Sequence, residues 1–575
     1  MSSNLGAQLP DRDPGPLASA AELTSIIEGS MASSTLLGVA QPSSPFSSTT
    51  TAGIVSDGNL RNANGSTEET AMAPSTLGLL IITFNCAKRL VNVDVFANHV
   101  HTALTNNATT PPDIVVFSLQ EVAPLSSAFI SPRFLKEYFS GFDDALNLAA
   151  NKLKYDDTPS EAPPVSVAQR GSSSEPSENK ARPYTLVAAR NVGYTAILLF
   201  ARDPKRIHNL QGAEVGFGAA EMGNKGAVGL RVLYDVDGTG ARCTEMTFVA
   251  THLAAMEWNL SLRNSNWAGI MQRLAFDDPL AILDRIRDGP EGTPAPAESA
   301  AHDSERDTET RRLLHDVHDE EHVQVQKAMH DISVFRPSSH LFVAGDLNYR
   351  ISTSSPPPNA DFPSLDPSSP SYYPTFLPLD QLTRERRAGR TMHGLTEPEI
   401  RFPPTYKYDV QPRETAAPDE DEAEVPWSFA KHRYPSWTDR ILYLDLPPWV
   451  KSRSRSDSPQ MRILAYDALP VLRSSDHRPV YLRAQVPLIP PGELSPPASI
   501  QHADGKSSQD PRVRLPVEVD PEAWTRRRQA RRWELLAGWS MFLGSTKEGA
   551  WIWATLLTGG AAAWWLYKTM EGVDF

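Results

Sequence analysis

Two polar side chains close a short apolar stretch within the 575-residue chain. Leu341–Ala344 predicts a buried strand, and Gly345 marks its end. Asp346 and Asn348 follow two residues apart, which places both side chains on the same side of an extended segment. A carboxylate beside an amide can deprotonate a water molecule and hold it against an electrophile. A turn that bonds only its own backbone would have the same sequence, so other strand ends must decide between the two interpretations.

Other apolar strands also end in acid, amide or imidazole groups. The groups are Asn85, Glu121, His252, Asp439, Asp476 and His477. In open α/β sheets, residues just outside the strand ends build the active site. Their oxygen ligands suit Mg²⁺, and the sequence has neither a paired Cys/His spacing nor a Gly-x-Ser-x-Gly elbow. Taken singly, Glu121 could cap a helix, His252 could be a core histidine, and Asp439 could pair with Arg440.

The elements that must position these groups are recognisable from their apolar runs. Strands are predicted at Leu77–Asn85 and Asp113–Glu121, with a helix over Val91–Leu104 between them. Further strands are predicted at Tyr184–Ala189, Tyr194–Phe200 and Thr247–Ala254, and a helix at Arg311–Phe335. Buried strands separated by a helix predict a layered α/β domain.

Composition narrows the function classes. A net charge of −14 argues against broad nucleic-acid binding, which needs a basic surface, and we expect no nucleic-acid partner. Two cysteines cannot build a disulfide framework, which favours a reducing, cytosolic setting. The 49 prolines and the polar tracts predict several disordered segments. They are a leader over residues 1–74, insertions at about 154–182, 288–309, 353–374 and 412–426, and a linker over 489–520.

Nine short motifs then identify a family. They are TFN at Thr83–Asn85, SLQE at Ser118–Glu121, GNKGAV at Gly223–Val228, THLAA at Thr251–Ala255, RN at Arg263–Asn264, GDLNYR at Gly345–Arg350, PPTYKYD at Pro403–Asp409, KHRYPSWTDRIL at Lys431–Leu442 and SDHRPV at Ser475–Val480. In this order they resemble the inositol polyphosphate 5-phosphatases, within the endonuclease/exonuclease/phosphatase superfamily that includes DNase I-like enzymes. The resemblance implies a four-layer α/β sandwich of two packed β-sheets, a catalytic domain over residues 75–488, and a site at one rim.

The resemblance also implies a role for each strand-end group. Glu121 would hold Mg²⁺, with Asn85 beside it and Asp476 in the metal shell. Asp346 would orient or deprotonate the attacking water, and Asn348 would steady that water and a phosphate oxygen.

The remaining implied roles concern phosphate groups. His477, polarised by Asp439, would bind the scissile phosphate, and His252 would donate to a phosphate oxygen. The residues implied to read the other ring phosphates are Tyr406, Lys407, Lys431 and Arg433 for the 4-phosphate, with Asn224 and Lys225 near the 1-phosphate. A Lys or Arg aimed at phosphate is a charge-assisted donor. Thr438, where the family usually has Cys, is expected to leave the chemistry intact.

The C-terminal segment predicts a membrane anchor. Ala550–Tyr567 is an uncharged run of 18 residues with tryptophans near both ends, which is typical of a short spanning helix. Residues 521–549 contain five arginines (Arg526, Arg527, Arg528, Arg531 and Arg532) and predict a basic, amphipathic juxtamembrane segment. This layout, seen in a fungal tail-anchored member of the family, predicts a tail anchor in the endoplasmic reticulum with a cytosolic catalytic domain.

These expectations combine into one functional hypothesis. An anchored domain meets lipid head groups at high effective concentration. We therefore expect a magnesium-dependent phosphoinositide 5-phosphatase that converts phosphatidylinositol 4,5-bisphosphate to phosphatidylinositol 4-phosphate on the cytosolic face of a membrane. The alternatives are activity on soluble inositol polyphosphates, another metal phosphodiesterase of the same fold, and a catalytically silent membrane scaffold. Protein partners are left open.

Overall fold

The computed structural model describes residues 76–156, 181–288, 321–412, 425–452, 459–503 and 508–571. The predicted leader, and most of the insertions predicted at 154–182, 288–309 and 412–426, lie outside these residues. The strands within them are β1 Thr76–Asn85, β2 Ile114–Gln120, β3 Thr185–Val192, β4 Thr195–Ala201, β5 Ile207–Gly216, β6 Gly226–Asp235, β7 Cys243–His252, β8 Ser339–Asp346, β9 Leu395–Thr396, β10 Tyr408–Val410, β11 Trp427–Phe429, β12 Asp439–Leu444, β13 Arg462–Ala468 and β14 Val480–Pro487.

The helices lie between and after these strands. They are α1 Val93–Thr105, α2 Leu125–Ile130, α3 Lys136–Asp156, α4 Leu260–Arg273, α5 Pro279–Arg287, α6 Gln381–Arg387, α7 Pro448–Lys451, α8 Pro491–Leu494, α9 Ala498–Ala503, α10 Ala523–Ser545 and α11 Lys547–Glu571. Residues 321–332 are also helical and form the described part of the helix predicted at Arg311–Phe335. Helix α1 begins two residues after the predicted start, because the Asn92 side chain accepts the free N–H groups of Asp94 and Val95.

Two six-stranded sheets form the centre of the fold. Their strand orders are β13-β14-β1-β2-β4-β3 and β5-β6-β7-β8-β12-β9, and β10 and β11 form a separate pair. Ile81 and Val116 of the first sheet share one apolar core with Phe248 and Phe342 of the second, so the sheets pack face to face.

Helices cover the outer face of each sheet. Phe96 of α1 and Phe142 of α3 pack against Phe117 of the first sheet, while Trp267 of α4 joins the core cluster on the other side of the second. Helix, sheet, sheet and helix therefore form the four layers that the family resemblance implied.

The strand pairing brings the polar strand ends to one rim. β1 runs parallel to β2 and β7 runs parallel to β8, so the carboxyl ends within each pair lie side by side. His252 is paired in register with Asp346, and Asp346 is paired with Asp439 at the start of the antiparallel strand β12. Because neighbours in register project to the same face of a sheet, these three side chains point the same way.

Two segments that were predicted to be disordered have defined hydrogen bonds or packing contacts in the structure. Within residues 353–374, Ser364 and Ser371 are hydrogen-bonded through their backbones at 2.7 Å. The predicted linker over 489–520 contains α8 and α9, and its Val519 packs in an apolar cluster with Ile282 and Met329. Apolar residues scattered among prolines find partners here that are distant in the chain.

The predicted C-terminal transmembrane helix and tail anchor are wrong. Residues 550–567 lie in helix α11, but among the described helices none combines the length and apolar character that a membrane crossing requires. Within this run, Thr555, Thr558, Gly559 and Gly560 lower the mean hydropathy. The predicted localisation in the endoplasmic reticulum depended on this tail anchor, so that prediction is wrong as well.

The segment expected to lie beside a membrane is also differently placed. Helix α10 packs against α2, and its Arg527 and Arg531 bind the buried carboxylate of Glu534 on the same helix. These two arginines of the predicted juxtamembrane segment therefore bind a protein carboxylate.

Candidate active site

Asp346 is the centre of a buried group at the rim between the sheets. Its Oδ2 accepts a hydrogen bond from Asn85 Nδ2 at 3.0 Å and lies 3.2 Å from His252 Nε2. Its Oδ1 accepts the backbone N–H of Asn348 at 3.1 Å. Because Asn85 ends a strand of the first sheet and Asp346 ends a strand of the second, this group joins the two sheets at their shared edge.

A second buried pair lies beside Asp346. His477 Nδ1 is 2.9 Å from Asp439 Oδ2, and the hydroxyls of Thr405 and Thr438 donate to the same oxygen at 2.7 and 2.9 Å. The opposite ring nitrogen, His477 Nε2, lies 3.9 Å from Asp346 Oδ2. The bond to Asp439 places a proton on Nδ1, which fixes the ring and directs Nε2 toward Asp346.

The local charges give the two histidines different protonation states. Burial disfavours the charged form of His477, but Asp439 and Asp346 outweigh it and raise the pKa of His477 to about 10. Burial and the nearby Lys225 lower the pKa of His252. His477 is therefore held in its protonated form, whereas the surroundings of His252 favour its neutral form.

Two carboxylates of the rim are kept ionised. Burial opposes the charge of Asp346, yet His477 and His252 hold the pKa of its carboxyl well below the usual range. Burial likewise opposes the charge of Glu121, but His252 and Lys88 lower its pKa. Glu121 follows β2 with a left-handed backbone, at φ +47°, and its carboxylate lies 2.8 Å from Lys88 Nζ and 3.9 Å from Lys225 Nζ.

The rim has the oxygen donors that a hard divalent cation requires. The sequence predicted Asn85, Glu121 and Asp476 as ligands; in the structure Glu121 is paired with Lys88 and Asp476 with Lys407, at 2.6 Å. Ligand atoms of Asp346, Asp439 and His477 also lie within 4.8 Å of one another. Among the described residues, Asp439 Oδ1 is buried without a hydrogen-bond partner. Ionised carboxylates with an amide and an unshared buried oxygen fit a divalent metal ion.

Cations border the same rim. Lys225 Nζ contacts the His252 imidazole, and the neighbouring Asn224 has a buried Oδ1 with no hydrogen-bond partner among the described residues. The Tyr406 ring lies between His477, with centroids 4.6 Å apart, and the Arg350 guanidinium, 4.2 Å from its centroid. The residues predicted to read ring phosphates thus include two that contact the histidines directly.

The cations on the segment before β12 are arranged differently. Lys431 is exposed, whereas Arg433 donates to the buried carboxylate of Glu257 at 2.9 Å. Arg433 therefore joins this segment to the loop after β7, and Lys431 extends toward solvent.

The sequence interpretation missed the roles of three neighbours. Lys88 holds Glu121, Arg350 supports Tyr406, and Thr405 orients Asp439. Arg350 and Thr405 lie inside the GDLNYR and PPTYKYD motifs. The sequence therefore marked their positions, but the sequence analysis assigned neither residue a role. The side chain of Asn348 donates to the Leu253 carbonyl at 3.1 Å and accepts from Arg350, so both ends of its amide bind protein groups.

Comparisons with known proteins agree with the motif assignment. The model of Endonuclease/Exonuclease/phosphatase family 2 matches residues 82–483. A probable inositol polyphosphate 5-phosphatase of Schizosaccharomyces pombe is 28% identical over 380 residues, which cover 64% of this chain and 24% of that protein. A polyphosphatidylinositol phosphatase of Saccharomyces cerevisiae is 29% identical over 375 residues, covering 64% and 23%. The chain thus matches about a quarter of the length of these relatives.

Among solved structures, the inositol polyphosphate 5-phosphatase domain of a synaptojanin, in complex with inositol (1,4)-bisphosphate and a calcium ion, is 21% identical. The match covers 72% of this chain and 84% of that chain, with a TM-score of 0.42. The predicted resemblance to inositol polyphosphate 5-phosphatases is confirmed by the two yeast relatives and the family match.

Proposed function

Because the chain belongs to endonuclease/exonuclease/phosphatase family 2, we propose that it is a phosphoric monoester hydrolase that removes the 5-phosphate of a phosphorylated inositol ring. The observation that carries this proposal is the meeting of His252, Asp346 and the Asp439–His477 pair at one rim. The names of the two yeast relatives support the class of substrate.

Asp346 is proposed to aim the attacking water. Uncatalysed hydrolysis of a phosphate monoester is among the slowest known reactions, so the nucleophile must be aligned and the phosphoryl charge neutralised. An ionised carboxylate accepts a hydrogen bond from water, and Asn85 fixes the direction of the Asp346 oxygens. The low pKa of the Asp346 carboxyl suits orientation of the water better than complete removal of its proton.

His477 and His252 are proposed to donate to the phosphoryl oxygens. His477 uses Nδ1 to bind Asp439, which leaves the Nε2 proton of the imidazolium for the substrate. His252 and the adjacent Lys225 approach from the neighbouring strand and turn. Donors fixed before the reaction stabilise charge that redistributes in the transition state without having to reorganise.

Glu121, with Asn85 and Asp476, is proposed to hold Mg²⁺. When bound, the ion supplies Lewis-acid neutralisation of a phosphoryl oxygen and of the leaving inositol oxygen. The lysines paired with Glu121 and Asp476 keep these carboxylates charged and oriented.

The preferred substrate is proposed to be phosphatidylinositol 4,5-bisphosphate. Tyr406, Lys407 and Lys431 would read its 4-phosphate, while Arg433 supports their segment through Glu257. Asn224 and Lys225 would lie near the 1-phosphate. A soluble inositol polyphosphate with the same 4- and 5-phosphates is the second candidate, because the groups proposed to bind the phosphates act on the inositol head group that both substrates share.

Phosphate release by the purified full chain tests this function. With MgCl₂ we expect release from vesicles that contain phosphatidylinositol 4,5-bisphosphate and none from vesicles that contain phosphatidylinositol 4-phosphate. Chelation by EDTA should abolish the release. A parallel assay with soluble inositol 1,4,5-trisphosphate separates lipid from soluble substrates. Equal release from the 4-phosphate lipid, or activity that survives EDTA, would contradict the proposal.

A further inference from the structure

Helix α10 carries a carboxylate that is fully buried. Glu534 Oε1 accepts the backbone N–H of Gly223 at 2.9 Å, across 311 residues of sequence. Arg527 donates to both carboxylate oxygens, at 2.6 and 2.9 Å, and Arg531 donates to Oε2 at 3.2 Å. Two guanidinium groups thus compensate the buried charge, and one oxygen still serves the distant backbone.

The turn that Glu534 holds is strained and tightly closed. Ala220 and Glu221 both have left-handed backbones, at φ 52° and 59°, a conformation that is unusual for residues with a side chain. The Phe217 N–H donates to the Lys225 carbonyl at 2.8 Å, which closes the turn. A Cβ on Gly223 would lie 2.5 Å from Val192 Cγ1, so this backbone is held between β3 and α10.

Two residues after Gly223, the turn delivers Lys225 to the rim. Lys225 Nζ contacts His252 and lies 3.9 Å from Glu121. A shift of the Gly223 backbone would therefore move the ammonium group relative to both. Catalytic and binding groups lose effectiveness when they are displaced by about 1 Å, so the support of this turn affects the chemistry.

The same helix also holds the segment that follows Glu121. Arg531 donates to the Phe129 carbonyl at 2.8 Å, at the end of α2, which begins four residues after Glu121. Gly538 allows α10 to approach closely, because a Cβ there would lie 2.9 Å from Phe129 Cβ. One helix thus contacts both segments that carry the Glu121 and Lys225 side of the rim.

We propose that α10 is part of the active-site architecture and that Glu534 is a positioning residue, which holds Lys225 at the substrate phosphate through the Gly223 N–H. The assignment of Lys225 to substrate rests on the proposed function. The position of Lys225 in the structure does not depend on the proposed function. The proposal can therefore be tested both with substrate and without it.

The test without substrate measures how fast an amine-reactive reagent labels Lys225 in the full chain, by peptide mass spectrometry. Glu534→Ala removes the acceptor, and we expect Lys225 to label severalfold faster. Glu534→Gln keeps an acceptor oxygen and should restore the slow rate. Arg528→Ala, an exposed change on the same helix, should leave it unchanged. Equal labelling in wild type and Glu534→Ala overturns the proposal, whether or not the protein is active.

Loss of folding is controlled by a second variant. Arg527→Met/Glu534→Met removes the acceptor together with the buried arginine that binds it, while the partly exposed Arg531 keeps its bond to the Phe129 carbonyl. Apolar replacement of a buried ion pair is often neutral for stability. In this double variant, the reagent should label Lys225 as fast as in Glu534→Ala, while the unfolding midpoint should stay near that of wild type. Slow labelling in this folded variant would also overturn the proposal.

The test with substrate is a double-mutant cycle on KM for the 5-phosphate substrate. If Glu534 acts through Lys225, Glu534→Ala should raise KM in wild type and have little further effect in Lys225→Met. Multiplicative effects, with wild type active, would overturn the coupling and leave the phosphatase assignment intact. An inactive wild type would refute the phosphatase assignment, while the labelling result would still decide the position of Lys225.

Discussion

Two neighbouring residues of β12 belong to buried charge clusters of opposite character. Asp439 faces the rim with His477, whereas Arg440 projects to the other face of the strand and binds Glu397 at 2.6 and 2.7 Å. Arg440 also donates to both oxygens of Asp380 at 3.1 Å. Of the described residues, none offers a hydrogen bond to Asp439 Oδ1, although that oxygen is buried. The cluster around Arg440, called the closed cluster below, is fully hydrogen-bonded. The cluster of Asp346, Asp439 and His477, called the open cluster, retains a buried oxygen without a partner in the described part of the chain.

The difference shows how a site is distinguished from a structural ion pair. Buried charge is costly, and a network that is fully paired stabilises one arrangement of the chain. At the rim, His477 Nε2 and Asp346 Oδ2 are 3.9 Å apart, and the buried Asp439 Oδ1 has no hydrogen-bond partner among the described residues. An incompletely satisfied cluster in a native protein is expected where a ligand completes it. Four predictions test this contrast.

The largest effect is expected at the open cluster. Asp346→Asn should lower kcat/KM about 1,000-fold or more, equivalent to about 4 kcal/mol of transition-state stabilisation, because the amide no longer orients the water as a carboxylate does. Steady-state phosphate release measures it, with Asp361→Asn as an exposed control. Thermal unfolding should show no comparable loss of stability. Undiminished activity would remove Asp346 from the chemistry.

The closed cluster should show the reverse behaviour. Arg440→Met leaves Asp380 and Glu397 buried without their partner and should lower the free energy of unfolding by about 3–5 kcal/mol. Urea denaturation measures this, and Arg401→Met, at an exposed ion pair, should change it by no more than about 0.5 kcal/mol. If Arg440→Met kept its stability and lost only its activity, the contrast between a structural and a functional cluster would be wrong.

A third prediction contrasts two buried histidines. His477 has two carboxylates that raise its pKa, whereas burial and then Arg512 lower the pKa of His340, at the other end of β8 from Asp346, from 6.5 to about 3. Since the unfolded chain binds this proton first, the stability from neutral His340 is present above pH 6.5 and is lost as pH falls toward 3.

The measurement compares urea unfolding at pH 7 and pH 5. His340→Leu removes this titration, so its stability should fall by about 2 kcal/mol less than that of wild type between the two pH values. Equal losses would show that His340 takes up its proton in the folded protein over the same pH range as in the unfolded chain. His208→Leu, at an exposed site, is the matched control.

The smallest effect is expected at the solvent edge of the open cluster. Lys407→Ala should raise KM about 10-fold, or about 1.4 kcal/mol, for a substrate with a 4-phosphate. A 3,5-phosphorylated lipid should be affected less, and Lys451→Ala, remote in the chain and exposed, should affect neither. An equal rise in KM for both lipids would show that Lys407 acts only through its ion pair with Asp476 and does not bind the 4-phosphate.

Local sequence was enough for several of the strands and for the polar residues that end them. The apolar run predicted at Leu77–Asn85 is β1 with one added residue, and Asp113–Glu121 contains β2. Alternation along a strand also decides that Asp439 and Arg440 face opposite ways. Burial patterns, turns and ordered motifs are properties of neighbouring residues, so they can be inferred without a tertiary structure.

Partners that are distant in sequence could not be inferred in this way. The motifs named Asn85 and Asp346 separately, but their bond depends on packing one sheet on the other across 261 residues. The same holds for the amide of Asn348, which donates to the carbonyl of Leu253, 95 residues away in the chain.

The C-terminal region shows the limit most clearly. Its five arginines were interpreted as part of a basic juxtamembrane segment and its aromatic run as a membrane span, because both interpretations treat charge and hydropathy as local properties. Sequence alone identified residues 521–549 as a basic, amphipathic segment. Only the tertiary structure decided that Glu534 is buried beneath Gly223 and binds two of those arginines, because a buried charge is stable only where folding supplies its partners.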